Sequence, residues 1–136
     1  MMFDTKVAIL VLEDLPVWQK LNVTAFLATG IAGAAPEAMG EPYEDAEGRA
    51  YARLLGQPML IFAANADGLL RAYQAGLARG LTLAVYVRAM FSTGHDAANR
   101  EAFKAEPTDR PDLVGLALRG PKKDLDKATK GSSLHP

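Results

Sequence analysis

The stretch Lys6–Phe26, KVAILVLEDLPVWQKLNVTAF, decides the fold class. Val7–Leu12 is an unbroken apolar run of strand length, the pattern of a strand buried on both faces. Glu13-Asp14-Leu15-Pro16 interrupts it with turn chemistry. A helical pattern then begins at once, with Pro16 tolerated at the first turn because its missing N–H would be an orphan donor anyway. A strand that hands over directly to a helix is the opening unit of an α/β domain. It also places polar side chains at the carboxyl end of a strand, where such domains gather ligands.

Working outward, the first helix is expected from about Pro16 to Ala32. Val17, Leu21, Ala25, Ala28 and Ala32 recur at helical spacing, and Val23, Phe26, Leu27 and Ile31 add apolar surface elsewhere. A helix apolar on most sides is expected to be largely buried. Trp18 is read as a packing anchor, with stacking on a base or a partner as the alternative. Residues 34–48, with Pro36, Gly40, Pro42 and Gly48, read as a loop with a short extended piece at Glu41–Glu44. Gln57–Ala64 reads as the second core strand. Asn65 or Asp67 can cap a following helix whose apolar side is Leu69, Leu70, Tyr73 and Leu77, and Gly80 stops it. Leu81–Val87 is the third strand and Asp112–Arg119 the fourth. Between them, Thr93 is positioned to cap a short helix, with Asp96 three residues on. Pro121 opens a last helix, and residues 131–136 are expected to fray. The order β-α-β-α-β-α-β-α predicts a three-layer α/β/α sandwich around a mixed, about four-stranded sheet, formed by residues 1–136 as a single domain.

Composition narrows the function classes. At 136 residues the chain is sized for one domain of ordinary α/β type, since domains commonly run to about 100–150 residues. Fifteen Lys and Arg face sixteen Asp and Glu, a formal net charge of −1. Phosphate neutralisation dominates nucleic-acid affinity, so this balance argues against a nucleic-acid partner. The one basic cluster, Arg119, Lys122, Lys123, Lys127 and Lys130, is interrupted by Asp124 and Asp126 and reads as a solvated face. No run approaches the ~18 apolar residues of a membrane span, and no membrane association is expected. MMFDTK lacks the basic and apolar regions of a secretory signal, and there is no cysteine. Both features fit a cytoplasmic protein.

Candidate site residues fall into two groups. Lys20 and Thr24 share a helix face just after the first strand. Lys20 can pair with Asp14, or it can stand as a cation at the mouth of a pocket. Thr93, Asn99 and Arg100 follow the third strand. Asn99 and Arg100 can cap and pair locally, or they can bind an anionic group through the guanidinium fork. Lys20 and Thr93 each follow a core strand and are expected to face one cavity. His95 and His135 are the only histidines, and neither belongs to a metal-ligand constellation. No metal and no cofactor are expected, and no nucleotide-binding or nucleophile-elbow motif occurs.

The opening stretch resembles the front of type-2 peptidyl-tRNA hydrolases. Those enzymes follow a strand with Asp-Leu, a variable turn and a Lys-x-Ala-Ala-Gln-x-x-His-Ala pattern. This chain has Asp14-Leu15 and Lys20, but Thr24 stands where the glutamine belongs and Leu27 where the histidine belongs. After the third strand the enzymes carry Asp-Ala-Gly-x-Thr. The equivalent stretch is Ala89–Thr93, in which only the threonine survives. An alanine cannot ionise or orient a hydrolytic water, so the resemblance implies the fold without the activity.

The chain is more closely similar to the family known as domain of unknown function 2000. Members show Leu-Pro-x-Trp-Gln-Lys-Leu-Asn after the first strand, here Leu15–Asn22. They also show Phe-x-Thr-Gly-x-Asp-x-x-Asn-Arg, here Phe91–Arg100, and a Gly-Pro before a final Lys/Asp-rich helix, here Gly120-Pro121. This resemblance implies a hydrolase-like fold with a rewritten site. A small polar or anionic ligand held by Lys20, Thr24, Thr93, Asn99 and Arg100 is the first expectation for function. A protein-interaction or homo-oligomeric module is the alternative, and residual peptidyl-tRNA or ester hydrolysis is a second one.

Overall fold

The computed structural model describes residues 3–136. The main strands are β1 (Thr5–Leu12), β4 (Met59–Ala64), β5 (Thr82–Val87) and β6 (Leu113–Pro121). They alternate with the helices α1 (Val17–Ala34), α2 (Ala66–Ala78), α3 (Asp96–Lys104) and α4 (Lys122–Ala128). Two short strands, β2 (Tyr43–Glu44) and β3 (Ala50–Tyr51), form a small separate hairpin. The fold is mixed α/β.

The principal sheet has five strands in the order β5-β6-β1-β4-β7, one more than the four expected. The fifth, β7 (Ser133–Leu134), lies in the tail that had read as frayed. It pairs antiparallel with β4 through Phe62–Leu134 and Ala63–Ser133. The backbone N–H of His135 continues the ladder to the Ile61 carbonyl at 2.9 Å. A two-residue strand has no pattern of its own to read. It exists because β4 would otherwise present an unpaired edge.

β1 pairs parallel with β4, Val7 opposite Met59 through Leu12 opposite Ala64. On its other side it pairs antiparallel with β6, Thr5 opposite Pro121 through Val11 opposite Gly115. Flanked on both sides, β1 is the most buried strand, and Ala8, Ile9 and Leu10 are fully enclosed. The helices dock where small residues admit them. Gly30 of α1 approaches the strand so closely that a Cβ there would lie 2.9 Å from Ala84 Cβ. A Cβ on Gly115 would overlap Val23 of the same helix. α2 uses Gly76 in the same way, against Leu118 and Leu83. α1 thus meets Ala84 and Gly115, while α2 meets Leu83 and Leu118, positions of opposite parity on the same two strands. Asn65 caps α2 as the sequence suggested, its Oδ1 accepting the Gly68 N–H at 2.8 Å. Gly80, at φ +67°, ends that helical region in the left-handed conformation that glycine adopts freely.

α1 departs from expectation. Val23, Leu27 and Ile31 are buried, but Val17, Trp18, Leu21 and Phe26 are exposed. Trp18, read as a packing anchor, is 63% exposed. One stripe of the helix is enough to cover the sheet, so the remaining apolar side chains point outward.

Candidate functional site

The two groups of candidate residues follow strands that end on the same side of the sheet, because β1 and β5 run in the same direction on either side of β6. Their side chains are nevertheless engaged separately. Lys20 Nζ lies 3.3 Å from His135 Nε2, so its partner is the tail and not Asp14. Thr24 Oγ1 donates to the Lys20 carbonyl at 2.7 Å, a bond that keeps the hydroxyl on its own helix.

The residues after β5 form a tighter unit. A short 3₁₀ helix spans Arg88–Ser92, and Ala89 lies within it. Thr93 closes this turn, its Oγ1 donating to the Met90 carbonyl at 2.9 Å and also meeting the Asn99 carboxamide. Thr93 does not cap α3, as the sequence had suggested. His95 does, through an Nδ1 that accepts the Ala98 N–H at 3.2 Å. Asp96 is free of the capping role and instead pairs with Arg100 one turn on, at 2.6 Å. Imidazole is an uncommon cap, and a Thr with an acid three residues later matches the usual capping pattern. That pattern drew the reading two residues too early.

Asn99 and Arg100 line a groove of about 360 Å³ between α1, β5 and α3. Phe26 and Gly30 of α1 form one wall, and Met90 and Phe103 contribute to the other side. Tyr86 also lines it and is 7% exposed. Its ring packs against Phe26 at 6.3 Å and Phe91 at 5.3 Å between centroids. Burial pushes the phenol above its usual range. An apolar recess with a few convergent polar groups is the general form of a small-molecule site. Neither Lys20 nor Thr93 lines it. Tyr86, Phe26 and Phe103 were not among the sequence candidates. Their meeting depends on three separate elements, and only the alternation of β5, which turns Tyr86 to the same side as Ala84, hinted at it.

A second hollow of about 330 Å³ opens at the carboxyl end of β4, beside Glu13, Asn65, Arg71 and Ser132. It lies at the strand ends, where ligands gather in open α/β sheets. It has no aromatic wall. A third, of about 440 Å³, lies at the opposite end of β1, next to Lys6, Gln57 and Lys122. Most of its polar side chains are already engaged. Gln57 donates to the Thr5 carbonyl and accepts from Arg119 Nε at 3.0 Å, and Lys6 pairs with Asp126 at 2.8 Å. Among the described residues no group of three or more His, Asp or Glu side chains is placed to hold a metal ion. No helix is long and apolar enough to cross a membrane.

Residues 5–136 match the family model described as protein of unknown function, DUF2000. The chain belongs to this family. A solved structure of a protein of unknown function from Agrobacterium tumefaciens strain C58 is similar to it at 47% sequence identity, with a TM-score of 0.95. The match covers 99% of this chain and all of that one. No curated protein matches. In this DUF2000 chain Asn99 and Arg100 line the groove, with Asn99 met by Thr93 and Arg100 by Asp96.

Proposed function

We propose that this DUF2000 protein binds a small polar ligand in the groove between α1 and α3, and that its architecture is a three-layer, type-2 peptidyl-tRNA hydrolase-like sandwich in a single cytoplasmic domain. The opposite parity of the α1 and α2 contacts supports the layered reading. The observation that carries the ligand reading is the convergence of Asn99 and Arg100 on a recess walled by Phe26, Tyr86 and Phe103. The hollow beside Glu13 is more polar and has no aromatic side chain to cover a ligand's ring. Thr93 contributes by holding Asn99. Lys20 and Thr24, engaged elsewhere, stand outside this site. Peptidyl-tRNA turnover is not part of the proposal, because Ala89 offers no acid and the Thr24 hydroxyl is spent on its own helix.

Saturation-transfer NMR against a library of small polar compounds tests the reading. Binding should be lost in Thr29→Trp, which fills the groove from an exposed position on α1. A library that binds wild type and Thr29→Trp equally would overturn the groove as the ligand site.

A second reading has its own observation. Val17, Trp18 and Leu21 are 70%, 63% and 66% exposed on a helix whose sole charged residue is Lys20. A contiguous exposed apolar face of this kind marks an association surface. A second copy of the chain is the occupant that fits, since a charge-free stripe can meet itself without bringing like charges together.

A further inference from the structure

The ion pair Asp96–Arg100 decides which polar ligand suits the groove. Arg100 Nη1 is 2.6 Å from Asp96 Oδ2, and both residues line the recess. An anion arriving at the guanidinium must displace Asp96 or sit beside its like charge. The exposed pair leaves the groove near neutral, so an anion gains little over water there. A neutral ligand meets no such opposition.

Tyr86 supplies the second observation. The side chain is more than nine-tenths buried, yet its phenol makes no hydrogen bond to any described residue. Among the described residues no fully buried side-chain polar atom lacks a partner. The hydroxyl therefore keeps some contact with solvent, and Tyr86 is one of the residues that line the groove, so its phenol is a candidate donor and acceptor there. Asn99 adds a third polar element. One end of its carboxamide faces the Thr93 hydroxyl, and the other is left to the groove. Held at its oxygen by Thr93, the amide has its NH2 donors left to offer.

The geometry points to a neutral, planar heteroaromatic ligand with carbonyl or ring-nitrogen acceptors, seated with its ring against Phe26, Met90 and Phe103, one acceptor on the Asn99 amide nitrogen and another polar group on the Tyr86 hydroxyl. This rests on the groove being the ligand site and names the class that fits it. A volume of about 360 Å³ accommodates a one- or two-ring molecule. Arg100, taken up by Asp96, carries no ligand charge.

Titration calorimetry and saturation-transfer NMR of the full chain with four probes test this: hypoxanthine, nicotinamide, benzoate and inorganic phosphate. At least one of the two neutral heteroaromatics should bind. Tyr86→Phe, which keeps the ring packing, and Asn99→Ala should each weaken it about tenfold, the effect of one lost hydrogen bond of roughly 1.4 kcal/mol. Raising the ionic strength tenfold should change it less than threefold, because no ligand charge is there to be screened. Benzoate or phosphate binding that Thr29→Trp abolishes, with both neutral probes silent, overturns the ligand class and leaves the groove standing as the site. Neutral binding indifferent to Tyr86→Phe and Asn99→Ala also overturns it. Silence from all four probes overturns both the class and the groove.

Discussion

Lys20 Nζ and His135 Nε2 meet at 3.3 Å across 115 residues of sequence. The other imidazole nitrogen, Nδ1, faces the Pro136 carbonyl at 3.1 Å. A carbonyl only accepts, so Nδ1 carries the proton and Nε2 accepts from the ammonium. The contact ties the first helix to the tail on the far side of β4. Lys20→Met should release the tail locally. Amide exchange at His135 and Ser133 is expected to quicken several-fold, while global stability changes by about 1 kcal/mol or less. Unchanged exchange at both amides would show that β7 holds itself.

Gly115 is the tightest point between α1 and the sheet. A methyl group there would overlap Val23 Cγ1 and press on Leu27 Cδ1, and Val23 is fully buried and branched at Cβ. Gly115→Ala should cost about 1–3 kcal/mol in chemical denaturation, the usual penalty of overpacking. Gly33→Ala is the contrasting control. Nothing lies within 4 Å of that position, and a helical Gly exchanged for Ala gains about 0.5–1 kcal/mol.

The outer face of α1 should govern the state of association. Trp18→Glu or Leu21→Glu places a carboxylate in the apolar stripe without touching Val23, Leu27 or Ile31. If copies pair through this face, sedimentation velocity will show wild-type dimers and variant monomers with unchanged circular dichroism. Wild-type monomers at high concentration would end the self-association reading.

Acid should loosen the β2–β3 hairpin before the main sheet. Asp45 accepts from the Arg49 N–H, the Tyr51 hydroxyl and the Glu47 N–H. The Arg49 bond first, then the Tyr51 hydroxyl, holds its carboxyl below the ordinary 3.8. A lowered folded value means the contribution is present above the unfolded pKa and is lost as pH falls through the folded one. NMR shifts of Glu47, Arg49 and Tyr51 amides should therefore move together below about pH 4, and Asp45→Asn should blunt that response.

The long strands were legible because each is an apolar run that a sheet interior demands. Val7–Leu12, Leu60–Ala63, Leu81–Val87 and Val114–Leu118 all contribute to strands or their immediate edges. β7 was not legible, since Ser133-Leu134 becomes a strand only through β4. α1 misled for a related reason. Apolar residues on every side predict burial, but the chain alone does not say how much of a helix the sheet can cover. Asn99 and Arg100 stood out as polar residues in an apolar stretch, and the structure does place both in one groove. Tyr86 did not stand out, because a strand tyrosine reads the same whether its hydroxyl is bonded, solvated or open to a recess. The partner of Lys20 could not be read at all across so much intervening sequence.

The position of β6 has a consequence for how the molecule is made. It stands between β5 and β1, yet it is the last of the long strands in the chain. During synthesis β1 and β4 can pair as soon as Ala64 emerges, but β5 has no neighbour until residues 113–121 arrive. A nascent chain carrying α1, α2 and three strands therefore holds two apolar strand edges apart, waiting for one insertion. Assembly is closed from the middle, late, and all at once. A ribosome stalled before Leu113 would display those open edges to any neighbouring chain, so the interval before β6 emerges is when this protein most needs a chaperone.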